Sequence, residues 1–211
     1  MSKALLLKCG IFAGPLYIGL AIIQMILRPE FDMTRHSLSL MSNGELGWIQ
    51  ITNFIATGLL VIGAAVGVRK ILKKELGSTW GPLMLGLYGI GLIAAGIFKA
   101  DPMGGFPPNS PTMDVVTTSG LLHLVSGSIG FIGLIAACFI FARRFGKLKD
   151  VKWRNYSFAT GLIFLLAFMG IASGSQPGSP LLTPVTLGFY FAVAWSFIWL
   201  SLLSSKLISS K

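Results

Sequence analysis

Long apolar runs separated by short polar segments set the pattern of this chain. Six runs are long enough to cross the roughly 30 Å hydrocarbon core of a bilayer as α-helices. They cover residues 5–27, 48–68, 80–98, 121–142, 156–173 and 185–203. Apart from Lys8 near the start of the first run, none contains Lys, Arg, Asp or Glu. The pattern predicts an all-α membrane protein, with six transmembrane helices in one bundle and a single domain over residues 1–211.

The basic residues lie almost entirely on one side of the predicted membrane. Of the 17 Lys and Arg, 14 fall in the N-terminus, the second and fourth connections and the C-terminus. Only Arg28, Arg35 and Lys99 fall in the other connections. Because positive residues concentrate in cytoplasmic connections, both termini are predicted to be cytoplasmic. The predicted location is the cell membrane, and the lipid bilayer is the predicted partner.

The amino-acid composition agrees with a membrane fold and argues against several classes of function. The chain is 54% hydrophobic and 11% charged, whereas a soluble domain is about 25% charged. A net charge of +10 would suggest nucleic acid on a soluble protein, but here topology explains the basic residues, so no nucleic-acid partner is predicted. Cys9 and Cys138 lie inside apolar runs, so neither a disulfide nor a cysteine metal site is expected. No cofactor is predicted, and the sequence identifies no protein partner.

Small residues four positions apart indicate where the predicted helices pack closely. Residues of this size let helix backbones approach one another in lipid. The pairs are Gly63 and Gly67, Gly91 and Ala95, Ser126 and Gly130, and Gly133 and Ala137.

Two polar connections on the predicted outer side, residues 28–47 and 99–108, differ from the short basic ones. The first mixes both charge signs with His36 and several serines, and the second is rich in proline and glycine, which favour a rigid, non-helical path. Polar groups in hydrocarbon usually face the bundle interior or a water-filled cavity. The sequence therefore predicts an outward-facing polar pocket, roofed by these two connections. Polar side chains in the outer halves of the spans are Gln24, Gln50, Asn53, Thr57, His123 and Ser126.

The leading functional interpretation is a binding or transport-like protein for a small polar or lipid-derived ligand. Arginine presents a planar donor fork to phosphate, so the outer cations would hold an anion or a lipid headgroup. Alternatively these cations pair internally, Arg28 with Glu30 or Asp32, and Lys99 with Asp101. The ligand-binding candidates are Arg28, Asp32, Arg35, His36, Gln50, Asn53, Lys99, Asp101, His123 and Ser126.

A second interpretation is a metal-dependent membrane hydrolase that acts on a lipid. Its catalytic candidates are His36, Asp101 and His123, because two histidines and one carboxylate can hold zinc and leave an open position. Alternatively, His36 is an ordinary loop residue and His123 caps or bridges helices. A third interpretation is a structural or partner-binding membrane subunit.

Three motifs and one histidine carry a resemblance to a known family. They are R-P-x-F-D-x-T-R-H-x-L-S at 28–39, L-G-W-I-Q-x-x-N-F at 46–54, D-P-x-x-G-F-P-P at 101–108, and His123. This pattern resembles the membrane family catalogued as domain of unknown function 998. The resemblance implies a six-span integral membrane protein of prokaryotic type, and it implies no established activity.

Overall fold

The computed structural model describes residues 2–110, 115–176 and 178–209. These residues form six α-helices, and each is long and apolar enough to cross a membrane. A short 3-10 turn, Leu38–Ser42, lies between the first two helices. The predicted all-α class and the number of spans are thus confirmed. The helices are α1 (Lys3–Leu27), α2 (Gly47–Leu72), α3 (Trp80–Ile97), α4 (Thr118–Lys147), α5 (Val151–Gly174) and α6 (Leu182–Ser209).

Several helices extend beyond the predicted spans at the basic end of the bundle. We use this name for the end that holds the C-termini of α2, α4 and α6. There α2 continues to Leu72 rather than 68, α4 to Lys147 rather than 142, and α5 begins at Val151 rather than 156. Hydropathy marks the limits of the apolar stretch, whereas a helix continues as long as its backbone hydrogen bonds are satisfied. Many basic residues assigned to connections therefore lie on helices.

The six helices form a closed ring. Each helix packs against its neighbours in sequence, α6 closes the ring against α1, and α2 also contacts α6. Aromatic side chains of α6 reach into the centre of the ring. The ring of Phe197 stacks on Tyr17 of α1, with centroids 4.9 Å apart, and Trp199 meets Phe141 of α4 edge-on at 5.9 Å. Both long polar connections lie at one end of the ring of helices, where Asn43 of the first donates to the carbonyl oxygen of Ala100 in the second at 2.9 Å.

Glycines permit the close helix contacts that the sequence predicts. A Cβ at Gly91 of α3 would lie 2.7 Å from the Cα of Gly130 in α4, closer than real Cβ contacts. Similarly, a Cβ at Gly67 of α2 would lie 2.9 Å from the backbone nitrogen of Leu7 in α1. Backbones therefore touch at these positions, as expected for small residues in membrane helices.

Candidate functional site

The two polar connections meet at the end of the bundle opposite the basic end. We call them together the cap: residues 28–46 between α1 and α2, and residues 98–110 between α3 and α4. Most of the candidate residues lie in the cap or directly beneath it. Their contacts decide which of them are available to a ligand.

His36 joins the two halves of the cap. Its fully buried ring accepts a hydrogen bond at Nδ1 from the backbone N–H of Asp32 (3.0 Å). Its Nε2 then carries the proton and donates to the carbonyl oxygen of Gly104 at 3.0 Å. The hydroxyl of Tyr190 on α6 donates to the His36 carbonyl oxygen at 2.7 Å. Both ring nitrogens of His36 therefore have hydrogen-bond partners. Its ring joins the two halves of the cap, and its carbonyl oxygen joins the cap to α6.

Gly104 must be glycine for this contact to form. Its φ of +65° lies in the left-handed region that side chains disfavour, and a Cβ there would lie 3.2 Å from the His36 ring. The His36 ring also packs against Phe31 and Phe106, with centroids 5.5 and 5.4 Å away. The His36 side chain is thus fully buried within the cap.

Arg28 is buried and binds backbone carbonyl groups. Its guanidinium donates to the carbonyl oxygens of Met41 at 2.7 Å and Asn43 at 2.6 Å, and lies over the ring of Phe106. Burial lowers the pKa of Arg28 from its usual value, and the charge of Glu30 opposes that shift. The predicted pairing with Glu30 or Asp32 is corrected here, because the 3-10 turn presents carbonyl groups that satisfy the guanidinium fork.

The other two cap cations lie at the surface. Arg35 forms a salt bridge with Asp32 at 3.2 Å, and both side chains are about half exposed. Hydrogen bonds from the hydroxyl and backbone N–H of Thr34, together with the Arg35 charge, hold the pKa of Asp32 below its usual value. The side chain of Lys99 is exposed. An exposed ion pair of this kind contributes little to stability.

Asp101 fixes the second half of the cap to the start of α4. One carboxylate oxygen accepts from the backbone N–H of Thr117 at 2.9 Å, and the other accepts from the Thr117 hydroxyl. The carboxylate lies directly over Gly120, where any Cβ would overlap it. Asp101 thus pairs with Thr117, the N-cap residue of α4, rather than with Lys99 as predicted, because a carboxylate is favoured at a helix N-terminus.

His123 caps the C-terminal end of α3. Its ring Nδ1 lies 3.0 Å from the carbonyl oxygen of Ala95 and 2.8 Å from that of Phe98, so Nδ1 carries the proton and donates to both. Nearby on α4, Ser126 lies where this helix touches Gly91 of α3. The helix-capping alternative for His123 is therefore the one that the geometry supports.

The three catalytic candidates do not converge on a metal site. Among the described residues, no group of three or more His, Cys, Asp and Glu side chains could hold a metal ion. Each candidate instead makes its own local contacts: His36 bonds Gly104 within the cap, Asp101 bonds Thr117 at the start of α4, and His123 bonds the C-terminal end of α3.

A polar core lies between α1 and α2 beneath the cap. We use this name for Gln24, Gln50, Asn53 and Thr57, whose side chains are all fully buried. The Nε2 of Gln24 donates to the Oε1 of Gln50 at 2.7 Å. Asn53 donates to the backbone carbonyl of Tyr17 at 3.1 Å, and Thr57 donates to Asn53 at 3.3 Å. The predicted polar face of α2 thus meets Gln24 of α1 in a closed, fully buried core.

Two atoms of the polar core make no hydrogen bond of good geometry, although the Gln50 amide interacts with the side chain of Tyr17 on α1. They are the acceptor Oε1 of Gln24 and the donor Nε2 of Gln50. The amide orientations are fixed by the network, because Gln24 Nε2 also donates to the carbonyl oxygen of Leu20 at 3.2 Å. Gln24 is absent from the ligand-binding candidates that the sequence indicated. Its position near the end of an apolar run, in which Lys8 is the single charged residue, was the available signal.

Six helices of membrane-spanning length and a capped polar core define the class, a multi-pass integral membrane protein. The model of a family described as "Protein of unknown function (DUF998)" matches residues 11–205. The chain belongs to this family, as the cap motifs indicated. No curated protein and no solved structure matches the chain.

Proposed function

We propose that this protein binds a small, uncharged polar ligand in the polar core beneath the cap. The observation that carries the proposal is the pair of unpartnered amide atoms, Oε1 of Gln24 and Nε2 of Gln50. The two side chains that bear them are hydrogen-bonded to each other, so one acceptor and one donor lie close together in a fully buried region.

The energetics favour an occupant with matching groups. A buried polar group without a partner costs about 1–3 kcal/mol, so a ligand that satisfies both atoms recovers that cost. The ligand needs one donor for Gln24 and one acceptor for Gln50, as primary amides, ureas and hydroxyl compounds provide. It is expected to be neutral, because the polar core contains no charged side chain and an unpaired ion is very costly to bury.

The cap provides the closure that such a site requires. The polar core is fully buried, so a ligand enters only when the surrounding contacts open. The bond from His36 to Gly104 holds the two halves of the cap together, and the bond from Tyr190 to His36 holds the first half to α6. We expect these contacts to break and re-form as ligand exchanges. The metal-hydrolase and partner-binding interpretations have no comparable supporting observation among the described residues.

The orientation and location proposed here rest on charge. The distribution of 14 against three Lys and Arg supports a basic end in the cytoplasm and a cap outside the cell. The cell membrane is therefore the proposed location, and the ligand is proposed to arrive from the outer side.

Acetamide tests the proposal because it carries one carbonyl and one NH₂ group in a neutral molecule. A probe of four non-hydrogen atoms gains at best about −6 kcal/mol, so the titration of thermal stability should extend to about 100 mM. We expect acetamide to raise the melting temperature of the purified protein saturably, and acetate, its charged analogue, to have no such effect.

The paired variants complete this experiment. Gln24→Leu/Gln50→Leu removes both amides together and should abolish the response to acetamide without loss of folding, since apolar replacement of both partners of a buried hydrogen bond is well tolerated. Gln176→Leu, at an exposed glutamine, should respond as the native protein does. An equal response of all three proteins, or no response in any of them, would contradict the proposal.

A further inference from the structure

A groove at the basic end lies between α4 and α5, far along the helices from the cap. Its volume is about 540 Å³. The residues that line it are Phe139, Ala142, Arg143, Gly146, Arg154 and Phe158. The surface of the groove is almost wholly apolar, since the two arginines contribute their aliphatic stems, and no carboxylate lines it.

The two arginines of this groove, Arg143 and Arg154, form no salt bridge with a carboxylate among the described residues. Elsewhere at the basic end, Arg144 pairs with Glu75 and Lys206 pairs with Asp150. Arg154 donates only from Nε to the side chain of its neighbour Asn155, at 3.0 Å. Both arginines line the groove with their aliphatic stems and are exposed to solvent, so their charged ends lie outside the apolar surface and give this region a positive potential that favours an anion.

The shape of the groove indicates that its ligand also has an apolar part. Gly146 makes room for the Arg154 side chain across α4, because a Cβ at this position would lie 3.2 Å from the Cδ of Arg154. Phe139 and Phe158, whose ring centroids are 5.5 Å apart, form an apolar wall on the side of the membrane-spanning segments. A free phosphate ion would use the arginines and leave this wall uncovered. A phospholipid would use both.

We propose that this groove binds an anionic phospholipid from the leaflet at the basic end. The lipid phosphate accepts from the guanidinium groups of Arg143 and Arg154, whose planar forks suit phosphate geometry. An acyl chain lies along Phe139 and Phe158. Basic pockets between membrane helices recognise anionic headgroups by this combination of charge and apolar surface. The site is independent of the polar core.

The test measures lipid binding to the full-length protein in detergent by native mass spectrometry. Phosphatidylglycerol and phosphatidylcholine with identical acyl chains are the probes. The native protein should bind phosphatidylglycerol in preference. Arg143→Gln/Arg154→Gln should weaken phosphatidylglycerol binding by about tenfold to thirtyfold, as expected for two cations near an anionic lipid.

A matched control separates this groove from general charge. Lys147→Gln/Lys152→Gln removes two exposed cations from the same two helices but outside the groove, and should change binding less than twofold. Gly146→Leu keeps both arginines and fills the groove, so it should weaken binding as the arginine variant does. Equal loss in the arginine and lysine variants would show non-specific charge attraction and overturn the proposal. Competition by millimolar inorganic phosphate would overturn the lipid assignment in favour of a free-phosphate site.

Discussion

His36 donates from Nε2 to the carbonyl oxygen of Gly104, 3.0 Å away and 68 positions later in the chain. This bond connects the two polar segments of the cap. The same ring accepts from the backbone of Asp32, so it satisfies a donor in one segment and an acceptor in the other. Only a neutral imidazole with its proton on Nε2 can do both, because a protonated Nδ1 would face an N–H group.

The two histidines of the chain should therefore occupy opposite tautomers. His36 carries its proton on Nε2, whereas His123 carries its proton on Nδ1, where two carbonyl oxygens of α3 accept it. Nitrogen NMR of protein labelled with ¹⁵N only at histidine checks this directly, since the chain has two histidines. Substitution of His36 by Gln assigns the signals. A shared tautomer for the two rings, or a metal-shifted nitrogen in either, would contradict the roles given to them in the cap.

A side chain at Gly120 should act as a substitution of Asp101 does. The carboxylate lies where a Cβ of residue 120 would be, so Gly120→Ala should displace it from Thr117. Loss of hydrogen bonds to a charged group should lower the free energy of unfolding by about 1.5–3 kcal/mol. Equilibrium unfolding in detergent measures this value.

Two further variants make the Gly120 experiment specific. Gly127→Ala lies on the same helix with no atom within 4 Å of its Cβ, and it should be neutral or stabilising by up to about 1 kcal/mol. In the double variant Asp101→Ala/Gly120→Ala, the losses should not add, because both changes remove the same contact. Additive losses would show that Gly120 and Asp101 act separately.

Cysteine labelling should place the cap and the basic end on opposite sides of the membrane. In a chain with Cys9→Ala and Cys138→Ala, a membrane-impermeant maleimide should label Arg35→Cys in intact cells. It should label Lys147→Cys only after permeabilisation. Both native residues have exposed side chains, so access depends on the side of the membrane rather than on burial. The reverse pattern would invert the orientation inferred from the positive residues.

The sequence predicts the helices well because lipid imposes one simple requirement. Every backbone polar group must be satisfied within the membrane, so each long apolar run is a helix. The ends at the cap follow from the same rule, as at Leu27 and Ile97. Several helix ends at the basic end of the bundle do not follow from this rule. A helix such as α4 continues past its apolar stretch into a region where charged side chains are solvated.

The cap contacts are harder to predict because they depend on how the chain folds back on itself. Glu30 and Asp32 were the expected partners of Arg28 because their carboxylates are close to it in the sequence. In the structure the guanidinium instead donates to the carbonyl oxygens of Met41 and Asn43. Candidate residue types were identifiable, but their partners were not.

The polar core shows the same limit. The sequence indicates a polar face on α2 and places Gln24 in the last turn of the first span. It did not indicate that Gln24 and Gln50, 26 positions apart, would bond to each other and leave one atom of each amide unpaired. That arrangement requires the rotation of α1 against α2, which side-chain packing determines.

The most direct test of the ligand site observes the two core amides themselves. The chain contains three glutamines, Gln24, Gln50 and Gln176, so labelling with ¹⁵N at the glutamine side chain yields three NH₂ groups, and the exposed Gln176 serves as an internal reference. During an acetamide titration, the NH₂ signals of Gln24 and Gln50 should shift saturably with one common dissociation constant, while that of Gln176 stays unchanged. Equal shifts at all three glutamines, or core signals that ignore acetamide and exchange only with water, would contradict the proposed ligand site.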